Sequence, residues 1–155
     1  MHITPFLPGL SPLEGKPLTA ARDAGNLSSN GGAVVLREAA RRLGLAEVIA
    51  GPLPDERNPL LVTHSLADMV MARVMAIACG YEDADDLDTL RHDPALKIGI
   101  DREPESGAGL PSQPTISRLE NLADIRALYR IGINFIDLFC DGYALPPPVI
   151  VLDID

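Results

Sequence analysis

The chain's last residues, Val149-Ile150-Val151-Leu152-Asp153-Ile154-Asp155, are the ones whose types and spacing point most directly to chemistry. They follow a proline brake, Pro146 to Pro148, and their β-branched and aliphatic run reads as a buried strand over Val149 to Ile154. Alternate residues of a strand share a face, so Val149, Val151, Asp153 and Asp155 point one way and Ile150, Leu152 and Ile154 the other. Two carboxylates then stand on one side, about 6.6 Å apart along the chain. One or both can serve a divalent cation held by oxygen ligands. A carboxylate at the end of so apolar a strand is costly unless paired or metal-bound. The ordinary alternative is a pair of strand-end aspartates facing solvent.

A second constellation is the segment SQPTISRLEN, residues 112–121. Gln113, Thr115, Ser117, Arg118 and Asn121 occupy the polar positions of a short capped helix, and such side chains contact phosphates or base edges when a recognition helix enters a groove. Any capped amphipathic helix also shows a polar face for solvation alone. Arg37, Arg41 and Arg42 form a third group, a basic face on an earlier helix that can meet DNA or simply be solvated and salt-bridged. Asp83, Asp85, Asp86 and Asp88 do not fit a calcium loop, because no glycine supplies the sharp turn, and they read as helix-start charges. His2, His64 and His92 lack zinc-ligand spacing and read as loop decoration.

These groups must be positioned by helices. Residues 1–29, rich in Pro, Gly, Ser and Thr, form an extended or poorly ordered arm. Residues 30–145 form a helical region of five or six helices, and residues 146–155 form a first strand. The first helix has Asn30 as N-cap, Val35, Leu36, Ala39, Ala40 and Leu43 at helical spacing, and Gly44 at its C-terminal end. Ser65 and Asp68 make a capping box for a central helix with Leu66, Met69, Val70, Val74, Ile77 and Ala78 as its stripe, ended by Gly80. Met69, Met71 and Met75 read as core filling. Leu87 and Leu90 turn inward from the acidic segment, and Asp93 with Pro94 opens the next helix. Ser112 caps the SQPTISRLEN helix, with Ile116, Leu119 and Leu122 inward. A longer helix runs from Asp124 to Asp141, with Ile125, Leu128, Gly132, Phe135 and Phe139 at helical intervals and Gly142 closing it.

Composition bounds the function. With 46% hydrophobic residues the chain can bury a core, and no stretch approaches the roughly 18 consecutive apolar residues of a membrane span. The opening MHITPFLPGL is not a secretory signal, so the expectation is a cytoplasmic chain with no membrane partner. Cys79 and Cys140 read as buried free thiols. A net charge of −9 excludes a broad electrostatic clamp for nucleic acid, so any DNA contact must be local.

The runs GGAVVLREAARRLGL, HSLADMVMARVMAIACGYEDADDLDTLRHDPAL, SQPTISRLEN and VIVLDID, in that order, resemble the DDE transposases of bacterial insertion sequences, and most closely the subgroup described as DDE domain group 1. The resemblance implies an RNase H-like α/β core in which two aspartates and a glutamate bind two Mg2+ ions for DNA cleavage and strand transfer. It places the first catalytic aspartate, a metal ligand, on the terminal strand, at Asp155 by preference and at Asp153 as the alternative. It implies transposon-end DNA as partner and admits a homo-oligomer. The second Asp and the Glu have no counterpart, and no other convincing strand pairs with the last one. The expectation is therefore a mainly α amino-terminal fragment leading into the first strand of a truncated catalytic core, inactive by itself. Two alternatives stand beside it. One is a non-enzymatic helical module that binds DNA or protein as a regulator. The other is a fragment of a haloacid-dehalogenase-like phosphohydrolase, whose opening motif is also an apolar strand followed by Asp-x-Asp.

Overall fold

Local signals set most of the helix boundaries in the computed structural model, which describes residues 7–21 and 27–151. Among these residues the α-helices are α1 Gly32–Leu43, α2 Leu45–Ala50, α3 Leu66–Ala78, α4 Asp86–Leu90, α5 Pro94–Gly99, α6 Gln113–Glu120 and α7 Ile125–Asp141. A 3-10 turn spans Pro59–Leu61. Ser65 and Asp68 form a reciprocal capping box at α3, while Asp93 and Asp124 each accept a backbone N–H at the starts of α5 and α7. Gly44 and Gly80 take the left-handed conformation, with φ of 61° and 91°, just past α1 and α3. α1 begins one residue later than Asn30 would have set it, with Gly31 at the N-cap. α2 was not foreseen: Gly44 ends one helix and at once begins another.

The core is built around α3, which packs on α1, α2, α5 and α6. Met69, Val70, Met71, Ala72, Met75 and Ala76 are buried along it, joined by Leu87 from α4, Leu96 from α5 and Ile116 and Leu119 from α6. A fully buried Leu or Met contributes about 1.5–3 kcal/mol relative to an exposed one. α5 lies against α3 at Gly99, where an added Cβ would come within 3.1 Å of Met75 Cγ, so glycine permits the close approach. Ile77 and Ala78 face outward instead of joining the stripe. Below α5, the ammonium of the buried Lys97 donates to the Pro104 carbonyl at 2.8 Å and fastens the loop before α6.

The described part of the lead-in folds back on this bundle. Leu13 and Lys16 exchange backbone hydrogen bonds across Glu14 and Gly15, both at positive φ, which is the geometry of a tight two-residue hairpin turn. Leu13 and Leu18 are buried against Val34 and Ala95 in a small second core. No periodicity in the sequence announces this, because the contacts are made by single residues of an irregular segment.

Three readings are corrected by burial. On α1 the inward residues are Ala33, Val34, Arg37 and Ala40, while Val35 and Leu43 are more than half exposed. The helix is rotated because Arg37, not a leucine, is drawn beneath the lead-in. Cys79 is half-buried but Cys140 is exposed. α7, expected to turn an apolar stripe inward, buries only Ala127 and leaves Ile125, Leu128, Phe135 and Phe139 exposed. Its tie to the bundle runs through α2, where Asn134 Nδ2 donates to the Val48 carbonyl at 3.0 Å. Beyond α7, Val149 to Val151 are exposed and paired in no ladder among the described residues, and Leu152 to Asp155 lie outside them.

Candidate nucleic-acid interface

α6 follows from its sequence: Ser112 stands at the N-cap, Pro114 in the first turn costs no needed N–H, and Ile116 and Leu119 bury against α3. Ser112 Oγ does not cap the backbone. It meets Thr115 Oγ1 at 3.0 Å, while the Gln113 N–H donates to Asp88 Oδ1 at 3.0 Å and ties the helix start to α4. At the other end Asn121 Nδ2 donates to the Ser117 carbonyl at 2.7 Å. Gln113, Thr115 and Ser117 are half-buried, and Arg118 and Asn121 are exposed. Neighbouring Glu120 is held by Arg73 Nε at 2.6 Å. Arg118 has no carboxylate partner among the described residues, so its guanidinium is the cation this helix offers to solvent.

The arginines of α1 do not act as a trio. Arg37 is 2% exposed, its Nε donating to Asp101 Oδ1 at 2.7 Å and its Nη1 to the Ser11 carbonyl at 2.8 Å. It fastens the lead-in and the loop after α5 to α1, and this takes it off any DNA-facing surface. Arg41 shares Asp101 at 3.1 Å, and Arg42 pairs with Glu38 at 3.0 Å; both remain exposed. Glu38 also accepts the Ser11 N–H at 2.9 Å. These hydrogen bonds, from Ser11 first and Arg42 next, lower its pKa from 4.5 to about 2.

Sequence reasoning missed the surroundings of His64. Its Nδ1 lies 2.9 Å from Arg102 Nη2, which also donates to Asp68 Oδ2 at 2.9 Å. A guanidinium cannot accept, so Nδ1 is the acceptor and the neutral ring carries its proton on Nε2. Burial first, and the Arg102 charge next, hold the His64 pKa below its usual value. Nothing local in the sequence marks this, since Arg102 comes from a loop more than thirty residues beyond His64 and Asp68.

Asp153 and Asp155 lie outside the described residues. Among the described residues no group of three or more His, Cys, Asp or Glu side chains is placed to hold a metal ion. Likewise no described helix is long and apolar enough to cross a membrane.

The profile of the transposase DDE domain group 1 family matches residues 10–155. The chain belongs to this family. No curated protein and no solved structure matches it. Membership gives the transposase-family chain a transposition-related function, in a family that uses divalent metal ions and acts on DNA. The family matched is the transposase one and not a phosphohydrolase one.

Proposed function

We propose that this transposase-family chain contacts the DNA at the ends of a mobile element through the outer edge of α6, in the bacterial cytoplasm. In this reading Arg118 and Asn121 lead the contact, Gln113, Thr115 and Ser117 flank it, and Arg41 and Arg42 give weaker support from α1. Asp155, with Asp153 beside it, contributes oxygen ligands for Mg2+ in the cleavage and joining of DNA strands. In this reading the described helices take the binding part and the terminal aspartates the metal. The observation that carries the reading is the family match, which runs from the lead-in to the terminal Asp155. Arg118, solvent-facing and without a carboxylate partner among the described residues, supports the role of α6.

Fluorescence anisotropy of the 155-residue chain with an element-end duplex and a scrambled duplex tests the binding half. Arg118→Ala and Asn121→Ala should weaken binding to the end duplex; unchanged binding in both would remove α6 from the interface. For the chemistry, the chain alone should show no Mg2+-dependent nicking, because the sequence offers no counterpart of the family's second Asp and Glu. Nicking that disappears in the Asp153→Ala/Asp155→Ala double variant would refute that. In a cleavage-competent protein containing this region, Asp155→Ala should abolish strand cleavage while leaving end binding in place.

A further inference from the structure

A cavity of about 540 Å³ opens where three separate segments meet: the turn before α3, the end of α4 and the first turn of α6. Arg57, Asn58, His64, Arg91, Ser112 and Thr115 supply most of its polar lining, and no carboxylate is among the lining residues. In a chain of net charge −9 that is a local reversal of sign. A cavity of about 590 Å³ beside α1 shows the contrast, since there Glu38, Glu47, Asp68 and Asp101 stand among its three arginines.

The groups around the smaller cavity are held in place before any ligand arrives. Arg57 is clamped by both oxygens of Asp55 at 2.7 Å, and its Nη1 donates to the His64 carbonyl at 3.0 Å. That leaves Arg57 largely neutralised and rigid. Arg91 has no carboxylate partner among the described residues. Its stem is packed by Gly109, where a Cβ would come within 3.1 Å of Arg91 Cγ, and its carbonyl accepts the Leu110 N–H at 2.9 Å. His64 lines the same cavity, and its Nε2–H remains to donate because Arg102 occupies Nδ1. The Ser112 and Thr115 hydroxyls, 3.0 Å apart, complete a set dominated by donors.

We propose that this cavity binds a phosphodiester oxyanion of the DNA backbone, with Arg91 as the charge that pairs with it, and with His64 Nε2 and whichever of the Ser112 and Thr115 hydroxyls is not spent on the other as hydrogen-bond donors. The inference rests on the reading of α6 as a DNA-contacting helix and adds to it a sequence-independent anchor at that helix's start. Arg118 and Asn121 lie farther along α6, and a phosphate seated beside Thr115 fixes the register in which they approach the duplex.

Two readouts test it on the purified 155-residue chain. The first is the proton NMR titration of His64, faced by Arg57, Arg91 and Arg102 on the cationic side and by Asp68 on the other. Saturating inorganic phosphate, or a short duplex, should raise its pKa by about one pH unit, because an anion offsets those cations. Arg91→Gln should remove that response and Arg91→Lys should keep most of it. The second is the salt dependence of duplex binding, whose logarithmic slope should fall by about one in Arg91→Gln, equally for end and scrambled DNA. A His64 titration unmoved by both probes, with an unchanged slope in Arg91→Gln, overturns the cavity as a phosphate site. If Arg118→Ala still weakens end binding under that outcome, the α6 reading survives without it. A His64 response to inorganic phosphate in a chain that binds no duplex overturns the assignment to DNA and the α6 reading together.

Discussion

α3 and α7 are both apolar helices with a polar N-cap, yet one is the centre of the core and the other lies almost bare. α3 buries Leu66, Met69, Val70, Met71, Ala72, Met75 and Ala76, because four helices surround it. α7 is longer and has the cleaner apolar stripe, but buries Ala127 alone. Tyr129 at 70% exposure and Ile136 at 58% show how little covers it. The contrast teaches that periodicity states which face of a helix prefers to leave water, not whether a neighbour is there to receive it. Exposed apolar area of that extent is uncommon on a folded monomer.

The largest effect that sharpens the contrast is expected at Met75, which is fully buried against Gly99. Met75→Ala should cost about 2–5 kcal/mol in urea unfolding, the range for emptying a packed core position. A cost below about 1 kcal/mol would mean that α3 is not the centre of a tight core.

Arg37→Ala comes next. It removes the donors to Asp101 and the Ser11 carbonyl, but the aspartate left behind is half exposed and keeps Arg41. The loss should be about 1–3 kcal/mol, smaller than for a deeply buried pair, with earlier proteolysis of the lead-in as a second readout.

A smaller, pH-dependent effect belongs to Glu38. Its folded pKa is lowered from 4.5 to about 2, so the unfolded chain binds the extra proton first. The contribution of Glu38 is present above about pH 4.5 and disappears as the pH falls toward about 2. Glu38→Gln should flatten that part of the acid titration of stability; an unaltered acid limb would show that Ser11 does not hold the carboxylate in solution.

The smallest effect is expected on α7, where Leu128→Ala should change stability by about 0.5 kcal/mol or less. A cost matching that of Met75→Ala would break the comparison, because it would show the α7 face covered in solution.

What the sequence determined by itself was local. The capping box of Ser65 and Asp68, the Asp93-Pro94 start and the glycine ends at Gly44 and Gly80 could all be read in advance, because a cap is settled by residues within one helical turn of each other. The inward positions of Leu87, Leu90, Ile116 and Leu119 were legible for the same reason, as each lies on a short helix with one apolar face. The family was legible too, from the order of its segments. Only the tertiary structure decided the rest. It turned α1 so that Arg37 went under the lead-in, buried Leu13 and Leu18 from a segment without periodicity, and left α7 bare. It also split the arginine trio into one buried clamp and two surface ion pairs, and gathered Arg57, His64, Arg91 and Thr115 around one cavity. Each of these depends on groups far apart in the chain. Their energies come from desolvation and charge pairing that exist only once the segments meet, and no local pattern of residue types encodes that meeting.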